Sequence, residues 1–249
     1  ALGAALWVDA RERLACAEPA RADAETADLP LAPRRWHMQH AYLGPSYGDD
    51  RIEELLRWAG LTYRRLDDVA EETARLLADD KIVGWFQGRM EFGPRALGAR
   101  SILASPINPA MQARLNELKD REDFRPVAPA VLHEEFGRWF GQADTNGGSS
   151  PFMLFVFDVL PGQGEKIPSA CHTDRTARVQ TVHADTNPRF HALLRAFMRR
   201  TGVPVLVNTS FNVRGEPIVC SPEAAIAAFF STPLDALVIG SFLLEKQRP

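Results

Sequence analysis

The sequence predicts an α/β or mixed α+β fold. Two observations carry that expectation. In the second half of the chain, short apolar runs of strand character alternate with longer amphipathic segments of helical period. The 249 residues are 45% hydrophobic, enough to bury one large core or two small ones.

The elements follow in order. "ALGAALWVDA" is small and apolar and starts abruptly, so residues 1–20 read as the last piece of a preceding domain. Residues 21–35 are rich in Ala, Pro and acid without helical or strand period, and read as a linker. The compact part is expected over 36–249. "DDRIEELLRWAGL" places Ile52, Leu55, Leu56 and Ala59 at helical spacing, with Asp49 or Asp50 as cap. "LDDVAEETARLLADD" repeats the pattern with Val69, Thr73, Leu76 and Leu77 on one face. "KIVGWFQGR" then changes to strand character. "NPAMQARLNELK" reads as a helix with Pro109 in its first turn. "RPVAPAVL", "PFMLFVFDVL" and "TARVQTV" are strand candidates. "NPRFHALLRAFMRRTG" is an amphipathic helix closed by Gly202, and "VPVLVNTSFN" a buried strand with a polar end. "SPEAAIAAFFST" opens on Ser221 as cap and Pro222 at the first helical position, and "LDALVIGSFLLEK" reads as a final strand.

A net charge of -3 offers no global basic excess for duplex nucleic acid. No apolar run approaches the ~20 residues that span a bilayer. Cys16, Cys171 and Cys220 are scattered and lack metal spacing, which fits thiols in a reducing, cytoplasmic compartment.

Four polar clusters could carry chemistry. "GWFQGRMEFGPRALGARSIL" sets Gly88, Gly93 and Gly98 among Arg89, Arg95 and Arg100, with Glu91 as the one acid between them. Glycine lets backbone N–H groups approach an anion, and arginine adds planar charged donors, so an oxyanion cradle is one reading. An ordinary surface loop is the other. The Gly-Lys-Ser/Thr ending of a P-loop is missing. "LKDREDFRPVAP" interleaves Lys119, Arg121 and Arg125 with Asp120, Glu122 and Asp123. It is either a solvated run of ion pairs or a basic helix-to-strand junction. "VLVNTSFNVRGEP" ends an apolar strand in Asn208, Thr209, Ser210 and Asn212, which can bind ribose, phosphate or amide, or merely cap a turn. In "CHTDRTARVQTV", Arg178 and Gln180 share a strand face. His172 is a base, a ligand, or a structural or exposed histidine. His37 and His40 lack a third ligand at metal spacing, and no protein metal site is read.

The first three clusters, in this order, together with "TARVQTV", resemble the NodU/CmcH-type O-carbamoyltransferases of nodulation and antibiotic tailoring, the tobramycin carbamoyltransferase family. The resemblance covers almost the whole chain. It implies a YrdC-like twisted mixed sheet with helices packed on one side and an open concave ligand face. It also implies a preceding Kae1-like (ASKHA) domain, where the family's iron site lies. The YrdC-like half of such proteins converts ATP and carbamoyl phosphate into carbamoyl adenylate, with Mg²⁺ accompanying the ATP. Their K-x-R and S-x-N tetrad is matched by Lys119-Asp120-Arg121 and Ser210-Phe211-Asn212. By that resemblance Lys119, Arg121, Ser210 and Asn212 are the catalytic set. Arg95, Arg125, Arg178, Asn208 and Gly93 hold nucleotide and phosphate.

Other readings stay open: a non-catalytic nucleotide-binding module, a tRNA-modifying relative, or an RNA binder, against which the pI of ≈ 6.1 argues. The acceptor is a nodulation oligosaccharide, an aminoglycoside, a cephem or another hydroxyl compound. Membrane association is not expected, homodimerisation is open, and the roles of Glu91 and His172 are unassigned.

Overall fold

A computed structural model describes residues 5, 7–9, 11–12, 38–141 and 149–246. The chain divides into two units, Ala1–Gln39 and His40–Pro249. In the first, residues 5, 7–9, 11 and 12 are helical. The expected linker at 21–35 lies outside the described residues, as does most of the expected domain remnant at 1–20.

The second unit is built on strands that are buried on both faces. Ten strands occur among its described residues: β1 (Arg64–Arg65), β2 (Val83–Phe86), β3 (Arg100–Ala104), β4 (Ala128–Leu132), β5 (Val156–Asp158), β6 (Thr176–Arg178), β7 (Gln180–Val182), β8 (Val205–Ser210), β9 (Ala236–Ile239) and β10 (Phe242–Glu245). Eight form one mixed sheet in the order β1-β10-β9-β2-β3-β8-β4-β7, and β5 pairs with β6 in a small second sheet. The β2/β9 and β4/β7 pairs are parallel, and the other pairs are antiparallel.

Every residue of β2, β3, β4 and β9 is buried. Successive side chains point to opposite faces, so both faces need a cover. On one face Leu76 and Leu77 of α2 (Val69–Ala78) and Leu193, Leu194 and Phe197 of α5 (Pro188–Thr201) cluster with Val83, Trp85 and Leu103. On the other, Leu56 of α1 (Asp49–Trp58), Met111 and Leu115 of α3 (Met111–Leu118), and Ala225 and Phe229 of α6 (Pro222–Ser231) cluster with Phe86, Ile102 and Val207. A short helix, α4 (Phe136–Trp139), buries Phe136 and Trp139. The mixed α/β sheet expected from the sequence is therefore present. The helices, expected on one side, cover both, because the strands are apolar on both.

Several local expectations change for equally specific reasons. The α1 cap is the extended Gly48 rather than Asp49 or Asp50; Asp49 lies inside the helix and accepts the Ser241 N–H at 3.2 Å. Pro109 precedes the α3 cap, Ala110, instead of occupying the first turn. "LDALVIGSFLLEK" is not one strand but the β9–β10 hairpin, folded at Gly240 with φ 57°. "TARVQTV" splits at Val179, so β6 joins β5 while β7 joins β4. "PFMLFVFDVL" contributes only the three residues of β5. The caps at Ser221 and Gly202 stand as expected. Ser221 Oγ accepts the Ala224 N–H at 3.3 Å, and Gly202 is left-handed at φ 76°.

The central strand β8 fixes the position of the site. Asn208 pairs with Leu103 of β3 on one side and with Ala128 of β4 on the other, and Ser210 is paired with Ser101. The C-terminal end of β8 thus lies beside the N-terminal ends of β3 and β4. The segments leading into those two strands are the Gly/Arg loop and the Lys-Asp-Arg run.

Candidate functional site

The Gly/Arg loop is shaped from within by its one acid. Glu91 is buried, and its Oε1 accepts the N–H groups of Leu97 (2.5 Å), Ala99 (3.0 Å) and Arg100 (3.3 Å). Gly98 has φ 99°, and a Cβ there would meet the Phe190 ring at 2.2 Å, so no larger residue fits. Its carbonyl accepts from Trp85 Nε1 at 3.0 Å. Arg100, fully buried, lies 3.6 Å over the Phe86 ring and donates to the carbonyls of Gln87, Gly88, Ala99 and Pro45. Burial pushes its pKa down to about 10. Arg89 donates to the Leu43 carbonyl. Two of the three arginines therefore hold backbone, and Arg95 alone turns to the cavity described next.

That cavity, ≈ 110 Å³, is ringed by Arg95, Arg121 and Arg178, with Asn208, Thr209 and Ser210 of β8 and the apolar Met153 and Val127 completing the wall. Burial, then Arg95 and Arg121, lower the pKa of Arg178; burial, then Arg125, lowers that of Arg121. Among the described residues no carboxylate lines the cavity. Two buried polar atoms in its wall, Arg178 Nε and Asn208 Oδ1, have no protein partner among the described residues. Buried polar atoms are nearly always satisfied, so orphans in a concave wall point to a bound molecule. Met153 holds φ 54°, a costly left-handed conformation for a residue that is not glycine. Small-molecule sites usually measure about 300–1,000 Å³. This cavity therefore suits a single phosphate- or carbamoyl-sized group, with any larger remainder lying outside it.

Beneath Ser210 lies Lys119. Its ammonium donates to Ser210 O (2.7 Å), Asn212 O (2.8 Å) and Asn212 Oδ1 (2.5 Å), with Ser210 Oγ at 3.3 Å. Ser210 Oγ donates in turn to Asn212 Oδ1 at 2.7 Å. Burial, reinforced by Arg121, pushes the Lys119 pKa down to about 7. Asp120 between the two basic residues is left-handed at φ 46°, a turn that aims Lys119 and Arg121 separately. Arg121 Nε is steadied by Asn116 Oδ1 at 2.6 Å.

The structure thus brings together Lys119, Arg121, Ser210, Asn212, Arg95, Arg178 and Asn208. It does not bring Arg125 or Gly93 to the cavity wall. Arg125 is an i,i+3 partner of Glu122 at 2.7 Å with its side chain 54% exposed, as a mixed charge run leaves it. Gly93, at φ 131°, is an exposed turn residue beside Pro94, which does line the cavity. His172 lies in a separate hollow with its Nδ1 3.0 Å from Thr176 Oγ1. Sequence reasoning missed Met153 and the organising role of Glu91. The sequence marks Gln180 only as sharing a strand face with Arg178; it is buried, and its Oε1 accepts from Asn208 Nδ2 at 2.7 Å.

The model of the family described as "Carbamoyltransferase C-terminus" matches residues 74–246, a span that contains every residue of this cavity. The chain belongs to that family. Its relatives include the nodulation protein NolNO of Sinorhizobium fredii, 45% identical over 220 residues that cover 87% of this chain and 32% of the relative. The 3'-hydroxymethylcephem-O-carbamoyltransferase of Amycolatopsis lactamdurans is 38% identical over 205 residues, covering 82% of this chain and 37% of that protein. The chain therefore spans about a third of the length of these relatives. Among solved structures, full-length HypF in its phosphate- and nucleotide-bound form aligns with a TM-score of 0.49 and 19% identity, over 74% of this chain and 22% of that one. Family membership makes this a carbamoyltransferase C-terminal domain. No helix among the described residues is long and apolar enough to cross a membrane.

Proposed function

We propose that this chain forms carbamoyl adenylate from ATP and carbamoyl phosphate, for transfer of the carbamoyl group to an acceptor hydroxyl. The observation that carries the reading is the cavity itself: three guanidinium groups around a space the size of one acyl or phosphoryl group, with two buried polar atoms awaiting partners. The chemistry asks for no protein nucleophile. Water releases carbamate and phosphate from carbamoyl phosphate. A carbamate oxygen then attacks the α-phosphorus of ATP, the bond from that phosphorus to the bridging oxygen breaks, and pyrophosphate leaves. The charge that develops is spread over phosphate oxygens, so fixed cationic donors and positioning supply the rate enhancement. Arg95, Arg121 and Arg178 are the donors in this reading. Lys119 fixes the β8 terminus by holding Ser210 and Asn212 in one arrangement.

Among the described residues no cluster of three or more His, Cys, Asp or Glu side chains can hold a metal ion. Mg²⁺ enters this reading as part of the nucleotide's own phosphate complex, with the substrate phosphates supplying most of its ligands. The acceptor site and the transfer step are assigned to sequence beyond the matched span, in a Kae1-like half with its iron. The motive is that the matched relatives are far longer than this chain.

The test is pyrophosphate release. The chain, given ATP and carbamoyl phosphate, is expected to form pyrophosphate only when both are present, and Arg121→Gln/Arg178→Gln should abolish it. Nucleotide binding with no pyrophosphate above that control would reduce the domain to a binding module.

A further inference from the structure

Three guanidinium groups attract any small anion, so they cannot by themselves select a carbamoyl compound. The selecting group has to be something other than a cation, and the cavity wall contains one. Asn208 is 1% exposed, and its Oδ1 has no protein partner among the described residues.

The orientation of that amide is fixed by a chain of one-way hydrogen bonds. The Leu97 carbonyl can only accept. It takes the Tyr42 hydroxyl proton at 2.8 Å, while the same hydroxyl accepts from Asn187 Nδ2 at 2.9 Å. It also takes a proton from Gln180 Nε2 at 2.8 Å. Gln180 must therefore turn its Oε1 towards Asn208, which donates Nδ2 to it at 2.7 Å. The second Nδ2 proton goes to the Ala96 carbonyl at 3.2 Å. Both amide protons of Asn208 are then used, and turning the amide over would set oxygen against two acceptors at once. What remains is a buried acceptor without a partner among the described residues, in a wall that carries three guanidinium groups.

We infer that Asn208 selects the carbamoyl group, its Oδ1 accepting a hydrogen bond from the carbamoyl NH₂, and that Gln180 is the positioning residue that keeps this oxygen presented. The inference rests on the reading under Proposed function. The donor set binds the phosphate and carbonyl oxygens; Asn208 reads the remaining substituent. An NH₂ group satisfies it. A methyl group leaves Oδ1 buried and unpaired, and a carboxylate oxygen is repelled by it. A site built to hydrogen-bond an N–H discriminates against analogues that lack it far more strongly than an apolar pocket does.

Calorimetric titration with two probes, carbamoyl phosphate and acetyl phosphate, tests this. The pair differs by NH₂ against CH₃. The wild-type chain is expected to bind carbamoyl phosphate about tenfold more tightly or better, the value of one satisfied buried hydrogen bond. Asn208→Leu should bring the ratio to about one by weakening carbamoyl phosphate alone. Gln180→Leu, outside the cavity wall, should lower the same ratio by letting the Asn208 amide turn over. Equal affinities in the wild type would overturn the inference, and so would an Asn208→Leu variant that loses both ligands equally. A wild-type chain that binds neither probe instead refutes the carbamoyl phosphate reading on which the inference stands. Should Asn208→Leu fail to fold, the wild-type ratio and Gln180→Leu decide the matter.

Discussion

Replacing Gly98 by alanine tests the loop geometry on which the cavity depends. The added Cβ would stand 2.2 Å from Phe190 Cδ1 and 2.8 Å from Cγ and Cε1, and the backbone would have to hold φ 99° with a side chain attached. Phe190 is fully buried in the first turn of α5, within the core cluster on that face of the sheet. Overpacking of this kind costs about 1–3 kcal/mol. The positive φ adds about 1–3 kcal/mol. For a chain of this size each kcal/mol lowers Tm by about 2–4 °C. The expected drop for Gly98→Ala is then on the order of 10 °C in a calorimetric scan. Phe190→Leu in the same chain relieves the clash but not the φ cost. The double variant should therefore lose less than the sum of the two singles, by about 1–2 kcal/mol of coupling. A Gly98→Ala protein that melts within about 2 °C of wild type, where one kcal/mol would already show, means the ring and the loop are not in contact. The account of why this glycine is required would then be wrong.

Two further outcomes are expected. Arg178→Gln should weaken binding of carbamoyl phosphate about tenfold or more, the value of a charge-assisted hydrogen bond. It should not lower the melting temperature of the empty protein, because it removes a guanidinium whose burial and neighbours oppose its charge. Arg125→Gln, paired at the surface with Glu122, should shift affinity by no more than about twofold. The second outcome concerns pH. The Lys119 pKa is lowered from 10.5 to about 7, so its ammonium is lost as pH rises through 7. Loss of that charge loosens the hold on Ser210 and Asn212, so affinity for sulfate, whose charge is constant there, should fall as pH rises through 7, and Lys119→Met should flatten the profile. The sign for stability is opposite: between pH 7 and 10.5 the unfolded chain holds the proton more often, so this group's contribution grows with pH and is lost as pH falls through 7.

The helices were legible because their signals are local. Ser221 and Gly202 mark their ends, and the apolar period of 69–77 reports the face that α2 buries. Strand β3 was hidden because it opens on Arg100, a residue that sequence reasoning places in water. Only the tertiary fold supplies the Phe86 ring and the carbonyls that accept its protons. The hairpin at Gly240 was hidden by continuity: nine apolar or small residues in a row, Ala236 to Leu244, give no sign of where a chain reverses. The site divides the same way. Lys119, Arg121, Ser210 and Asn212 stood out through a recognisable spacing, and the fold gathers them by pairing β8 with its neighbours. Arg125 carries the same charge in the same run, yet its side chain faces solvent, a distinction of helix-end geometry that composition does not encode. Gln180 and Met153 matter only through partners far away in sequence, and nothing nearby announces them.

The grip of Glu91 on three successive parts of its loop has a consequence for how this segment can vary in length. One carboxylate oxygen holds the N–H groups of Leu97, Ala99 and Arg100, so the count of residues from Leu97 into β3 is fixed by that single atom. An insertion there would pull donors away from a buried charge and shift the register of β3 against β8. Phe92, Gly93 and Pro94, by contrast, are exposed, and a Cβ on Gly93 would meet no atom within 4 Å. Insertions and deletions between relatives should therefore fall between Phe92 and Pro94, where extra chain can loop into solvent while Arg95 and Ala96 keep their places.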